Sequence, residues 1–171
     1  MAFTFVVEDG TGLPNANSYV TVAEADDILV TNIHNEAWPA LDTPSKEKLL
    51  AWATSIIDLK ADWNGVKTYP SSSLRWPRKY VIGRDFYPIP SNEIPLQLKQ
   101  AVAQYANFLM SNDVTAQSET AGITEIVVDV IELKFDSSFT KSTIPNFLSD
   151  LLYGLGTISN GKLTVAKIKR S

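Results

Sequence analysis

The segment Leu74-Arg75-Trp76-Pro77-Arg78 sets two guanidinium groups around an indole whose backbone is stiffened by the following proline ring. Arginine stacks on aromatic faces and forks onto carboxylates or phosphates, so the segment suits contact with a partner protein or a nucleic-acid backbone. With Lys79 and Tyr80 it has the parts of a stacking and phosphate platform for a single strand. A second reading buries Trp76 as the pin that fixes a loop to a core, the two arginines satisfying acidic neighbours and backbone carbonyls. A further cationic set, Lys162, Lys167, Lys169 and Arg170, follows Asp150, the last acidic residue. That tail is β-prone as well as basic, and it suits strand addition to an acidic partner.

Other chemistry is poorly supplied. His34 is the single histidine, no Gly-x-Ser-x-Gly turn occurs, and there is no cysteine among the 171 residues. A Ser-His-Asp triad, a zinc site and a thiol nucleophile are therefore not expected. Neither glycine-rich phosphate cradle is present. Asp26-Asp27 and the set Glu125, Asp129 and Glu132 read more simply as solvated faces than as ligands of a hard cation. The sequence predicts a protein that is not an enzyme and carries no cofactor or metal. A net charge of −4 argues against a generally phosphate-binding surface and leaves room for a local basic patch. The longest apolar runs, such as 126–131, are broken by charge and far too short for a bilayer. The first residues lack the pattern of a secretion signal, which predicts retention in the compartment of synthesis.

Elements to position these groups are marked along the chain. Residues 6–20 crowd turn formers between two β-prone pieces and predict an extended arm with a turn. Thr21-Val22-Ala23-Glu24 is a capping box, and Ala25, Ile28, Leu29 and Ile33 continue at helical spacing toward an end before Pro39. Thr43-Pro44 predicts a second helix, with Leu49, Leu50, Ala53, Ile56 and Ile57 on one face and a stop near Trp63-Asn64-Gly65. Residues 67–95 hold Pro70, Pro77, Pro88, Pro90 and Pro95, too many for a regular helix or central strand, yet enough aromatic residues to favour an ordered loop. Pro95 opens a third helix to about 112, with Leu98, Val102, Tyr105, Ala106 and Leu109 on its stripe. Residues 123–135 read as a strand or hairpin half whose apolar phase shifts on the way, and Thr143-Ile144-Pro145 starts a short helix closed by Gly154 or Gly156.

The expected fold class is mainly α: a three-to-four-helix bundle with a long proline-rich loop, a β-strand or hairpin extension and a C-terminal tail. Residues 1–113 would form a helical core with an N-terminal arm. Residues 114–171 would form a strand-rich extension, a short helix and the basic tail.

Several strings occur in an order that resembles a phage and prophage family labelled DnaT-like. They are Val7-Glu8-Asp9-Gly10-Thr11-Gly12-Leu13-Pro14-Asn15-Ala16-Asn17-Ser18-Tyr19, the helix opening Val22-Ala23-Glu24-Ala25-Asp26, Trp63-Asn64-Gly65, Trp76-Pro77-Arg78 and the helix opened by Ile94-Pro95. The resemblance covers about residues 7–113 and weakens beyond Gly122. Its helical layout is similar to that of tailed-phage head–tail adaptor subunits. That likeness implies a homo-oligomeric ring, a dodecamer in such assemblies, set between portal and tail. Portal protein and a tail or neck protein would be its partners, and the basic tail would dock on the portal. DNA would pass through the channel without specific binding. The expected location is then the virion, after assembly in the host cytoplasm, with no membrane contact. The rival implication of the same family is a single-stranded DNA-binding accessory protein.

Overall fold

The computed structural model describes residues 3–112, 114 and 144–158, together with the backbone of 125–128 and 131–134. Helix α1 spans Val22–Leu29 and opens on the expected capping box. Thr21 Oγ1 accepts from the Glu24 N–H at 3.2 Å, and Glu24 Oε2 accepts from the Thr21 N–H at 2.9 Å. The helix stops earlier than its apolar spacing suggests, so Ile33 lies outside it and is exposed. A short 3₁₀ turn, Trp38–Ala40, then buries Trp38.

Helix α2, Thr43–Lys60, is capped one residue before the expected threonine: the Asp42 side chain accepts from the Ser45 N–H, and Pro44 lies in the first turn. A clasp holds α1 to the start of α2. Asp26 Oδ1 accepts from Trp38 Nε1 at 2.7 Å and from Lys46 Nζ at 2.8 Å. Helix α3, Leu96–Leu109, follows Pro95. It packs on both earlier helices, and Lys99 Nζ reaches Glu24 Oε1 at 2.6 Å. Helix α4, Asn146–Leu151, lies against α3 and turns at Gly154, whose φ is +89°.

The strands are short, and they change the fold class. The chain leaves α2 directly into β1, Ala61–Trp63, which pairs antiparallel with β6, Gly156–Ile158. Strands β2 (Val66–Lys67) and β3 (Arg78–Lys79) form a second antiparallel ribbon, with Lys67 opposite Arg78. Strands β4 (Glu125–Val128) and β5 (Ile131–Lys134) form a third, on either side of the apolar phase shift noted in the sequence. The architecture is mixed α/β and not the expected helical bundle. The physical reason lies in the lengths: α1 has 8 residues and α4 has 6, too short to close a bundle on their own.

The core is closed instead by pieces between the helices. Leu50, Ala53 and Ile57 from α2 and Leu98, Ala101, Val102 and Tyr105 from α3 share one cluster with Tyr19, Leu74, Trp76 and Val81, and with Leu148, Leu152 and Leu155. The N-terminal arm is sealed by a carboxylate. Buried Glu8 accepts the N–H groups of Gly10, Gly12 and Leu13 at 2.8–2.9 Å. At Gly12, with φ of +79°, a Cβ would fall 2.4 Å from the Tyr69 ring. Among the described residues no helix is long and apolar enough to cross a membrane.

Candidate functional site

A buried polar junction ties residues 67–95 to the core. The Tyr19 hydroxyl donates to the Asp58 carboxylate at 2.8 Å and accepts from the Arg75 and Trp76 N–H groups at 3.0 and 3.1 Å. Asp58 Oδ2 also accepts from the Arg75 N–H at 3.0 Å. Burial pushes the Asp58 carboxyl above the usual carboxylate range, although the Tyr19 and Arg75 hydrogen bonds pull the other way. Burial and the neighbouring carboxylate raise the Tyr19 hydroxyl well above its ordinary value, which keeps it a donor.

This junction decides what the Arg-Trp-Pro-Arg segment presents. Trp76 is fully buried and meets Trp63 edge to face, with ring centroids 5.8 Å apart. Arg78 is turned inward, donating to the carbonyls of Asn64 at 2.7 Å, Gly65 at 2.8 Å and Arg75 at 3.2 Å. Arg75 has its backbone fixed and its residue surface exposed. Trp76 and Arg78 therefore position the loop, and Arg75 faces solvent. Lys162, Lys167, Lys169 and Arg170 lie outside the described residues.

The exposed chemistry lies just beyond that segment, beginning with Lys79 and Tyr80 and continuing into residues 81–89. Tyr80 is 80% exposed, and Lys79 Nζ sits 5.8 Å from its ring centre. Residues 81–89 form a tight hairpin: Gly83 N–H bonds the Tyr87 carbonyl at 2.9 Å, Phe86 N–H bonds the Gly83 carbonyl at 3.0 Å, and Ile89 N–H bonds the Val81 carbonyl at 2.9 Å. At its tip Phe86 and Tyr87 are 88% and 76% exposed. Arg84 lies 5.5 Å over the Tyr153 ring and donates to the Asp150 carbonyl, tying the hairpin to the end of α4.

Two features mark this surface as more than a loop. Tyr80 and Phe86 both have φ of +63°. Bulky residues rarely adopt this left-handed conformation, and it costs about 1–3 kcal/mol, so two exposed aromatic side chains held there point to a use for them. Charge is also concentrated locally. Residues 60–84 contain six basic residues and one acidic residue, whereas the rest of the chain has nine basic and eighteen acidic. The signal for the hairpin aromatics was the string Gly83-Arg84-Asp85-Phe86-Tyr87, in which turn formers abut two aromatic residues with no apolar period to bury them. Among the described residues no group of three or more histidine, aspartate or glutamate side chains is placed to hold a metal ion, and His34 is exposed.

Comparison with known proteins bears on nearly the whole chain. Residues 3–171 match the family described as "Putative DnaT-like ssDNA binding protein", so the match extends well past the region where the motifs are visible by eye. No curated protein and no solved structure matches the chain. The likeness to head–tail adaptors finds no support, and the expectations built on it are corrected accordingly. A connector ring, portal and tail partners, and DNA passing without specific binding all give way, because the matched family is described by single-stranded DNA binding and not as a connector. The ordered motifs of the first 113 residues and the match over residues 3–171 lead to one conclusion: the chain belongs to the DnaT-like family.

Proposed function

We propose that this chain is a non-enzymatic single-stranded DNA-binding protein whose platform is the ribbon β2–β3 and the hairpin of residues 81–89. The observation that carries the reading is the exposed aromatic set Tyr80, Phe86 and Tyr87 interleaved with Arg75, Lys79 and Arg84. Single strands are held by bases stacking on aromatic rings while cations track the phosphates, and every base has a face to stack. Double-stranded DNA keeps its bases stacked inside, so this surface discriminates in favour of the single strand. The family description points the same way. The acidic remainder of the chain repels phosphates and confines the strand to this face.

Fluorescence anisotropy with a labelled mixed-sequence 15-mer tests the reading. Binding should weaken as salt rises, with a log–log slope near −2 if three cations meet phosphates at about −0.7 per contact. Phe86→Ala should weaken binding about 5- to 100-fold, the loss expected of one stacked base, and leave the thermal midpoint unchanged. Absence of binding at low salt, or unaltered affinity in both Phe86→Ala and Tyr80→Ala, would overturn it.

A further inference from the structure

Arg84 stands at the rim of an open groove of about 710 Å³ between α1, α3 and α4. The volume lies within the range of small-molecule sites, roughly 300–1,000 Å³. Its polar wall comes from Asp27 on α1, Gln100 and Gln104 on α3 and Asp150 on α4, and Phe147 supplies an aromatic surface. The amide of Gln104 is oriented by Asn32, whose Nδ2 donates to Gln104 Oε1 at 3.1 Å. Asp27, Phe147 and Asp150 are all exposed, so the groove is open to a strand lying on the hairpin.

We infer that this groove takes one unstacked base of the bound strand and selects a base whose amine stands at the pyrimidine 4 or purine 6 position, cytosine or adenine, over thymine or uracil. The inference rests on the single-strand reading above and adds a base preference to it. A carboxylate only accepts hydrogen bonds, and it suits the N4 amine of cytosine or the N6 amine of adenine. Thymine and uracil turn a carbonyl oxygen toward the same position, where two acceptors face each other and no hydrogen bond forms. Glutamine side chains pair with the adenine edge and tolerate either partner, because each amide both donates and accepts. The roles divide by location. The hairpin aromatics hold any base by its face, whereas the groove, approached across Arg84, reads one base by its edge.

Oligo(dC) and oligo(dU) 15-mers test the amine without a methyl difference, since the two bases differ at that ring position by an amine against an oxygen and at the adjacent N3 by an acceptor against an N–H. The full chain at pH 8, where cytosine is unprotonated, should bind oligo(dC) about 5- to 100-fold more tightly than oligo(dU). Asp150→Asn and Asp27→Asn each remove a negative charge and so strengthen binding to every strand. The ratio of the two affinities is therefore the readout, and it should fall toward one in at least one variant, because asparagine can donate to a carbonyl. Unchanged circular dichroism shows that the variants fold. Equal affinities in the parent chain would overturn the base preference and leave single-strand binding standing, whereas no binding to either strand would overturn both. Free dCMP at equal nucleotide concentration should compete poorly, lacking the neighbouring phosphates. Competition as strong as the oligomer's would reassign the groove to a free nucleotide and overturn the inference.

Discussion

Tyr19→Phe removes one oxygen atom from the junction that seats residues 67–95, and its cost follows from the partners of that atom. In the parent chain the hydroxyl gives a hydrogen bond to Asp58 and receives two, from the Arg75 and Trp76 N–H groups. Arg75 keeps its second acceptor, Asp58 Oδ2, at 3.0 Å. The Trp76 N–H, in a fully buried residue, loses the hydroxyl that accepts from it, a penalty of about 1–3 kcal/mol. Losing a donor to a buried carboxylate costs about 1.5–3 kcal/mol more. The sum is about 2.5–6 kcal/mol, which for a chain of this size lowers the thermal midpoint by roughly 5–25 °C. The pH dependence has a definite sign. Burial raises the folded-state value of Asp58 above its unfolded value of 3.8. Its contribution to stability is full below that unfolded value and is lost as pH rises through the raised folded value. Without the hydroxyl the carboxylate is held less well, so the Tyr19→Phe penalty should be larger at pH 8 than at pH 5. Urea unfolding followed by circular dichroism at both pH values measures this. A loss below about 1 kcal/mol, or one equal at the two pH values, would refute the account of the junction.

Two further perturbations probe other parts of the fold. Glu24 is held below its ordinary value of 4.5, because hydrogen bonds from Lys99 and Thr21 together outweigh the burial that raises it. Such a group stabilises above its unfolded value and loses that contribution as pH falls through the lowered one. Lys99→Met should therefore cost under about 1 kcal/mol at pH 7, this being a partly exposed pair, and the gap from the parent chain should close in an acid titration below pH 4. Gly12→Ala should lower stability by about 2 kcal/mol or more in urea, since the left-handed conformation disfavours a Cβ and the Tyr69 ring occupies its place.

Local signals in the sequence proved the readable ones. The Thr21–Glu24 box, the proline-led starts of α2 and α3, and Gly65 and Gly154 at positive φ all depend on atoms a few residues apart. Fold class depended on pairings that leave no such mark. Strands β1 and β6 have three residues each and meet across some ninety positions of sequence, so neither shows a period, and the ribbon β2–β3 is shorter still. The Arg-Trp-Pro-Arg segment was legible as important, but its composition is the same whether its indole faces inward or outward. Only the Tyr19–Asp58 junction and the carbonyls around Arg78 decide that. Phe86 and Tyr87 were legible only as aromatic residues favouring an ordered loop, because in a turn they have no apolar neighbours at regular spacing to show which way they face.

The pairing of β1 with β6 also sets an order of events during synthesis. Asn64 N–H bonds the Leu155 carbonyl and Asn64 Nδ2 bonds the Gly154 carbonyl, while Arg84 reaches the Asp150 carbonyl and the Tyr153 ring. A nascent chain that has emerged only as far as α3 lacks every one of these tethers. The tip carrying Phe86 must wait, unlatched, until the ribosome has delivered the residues around Tyr153, and only then is this face of the protein complete.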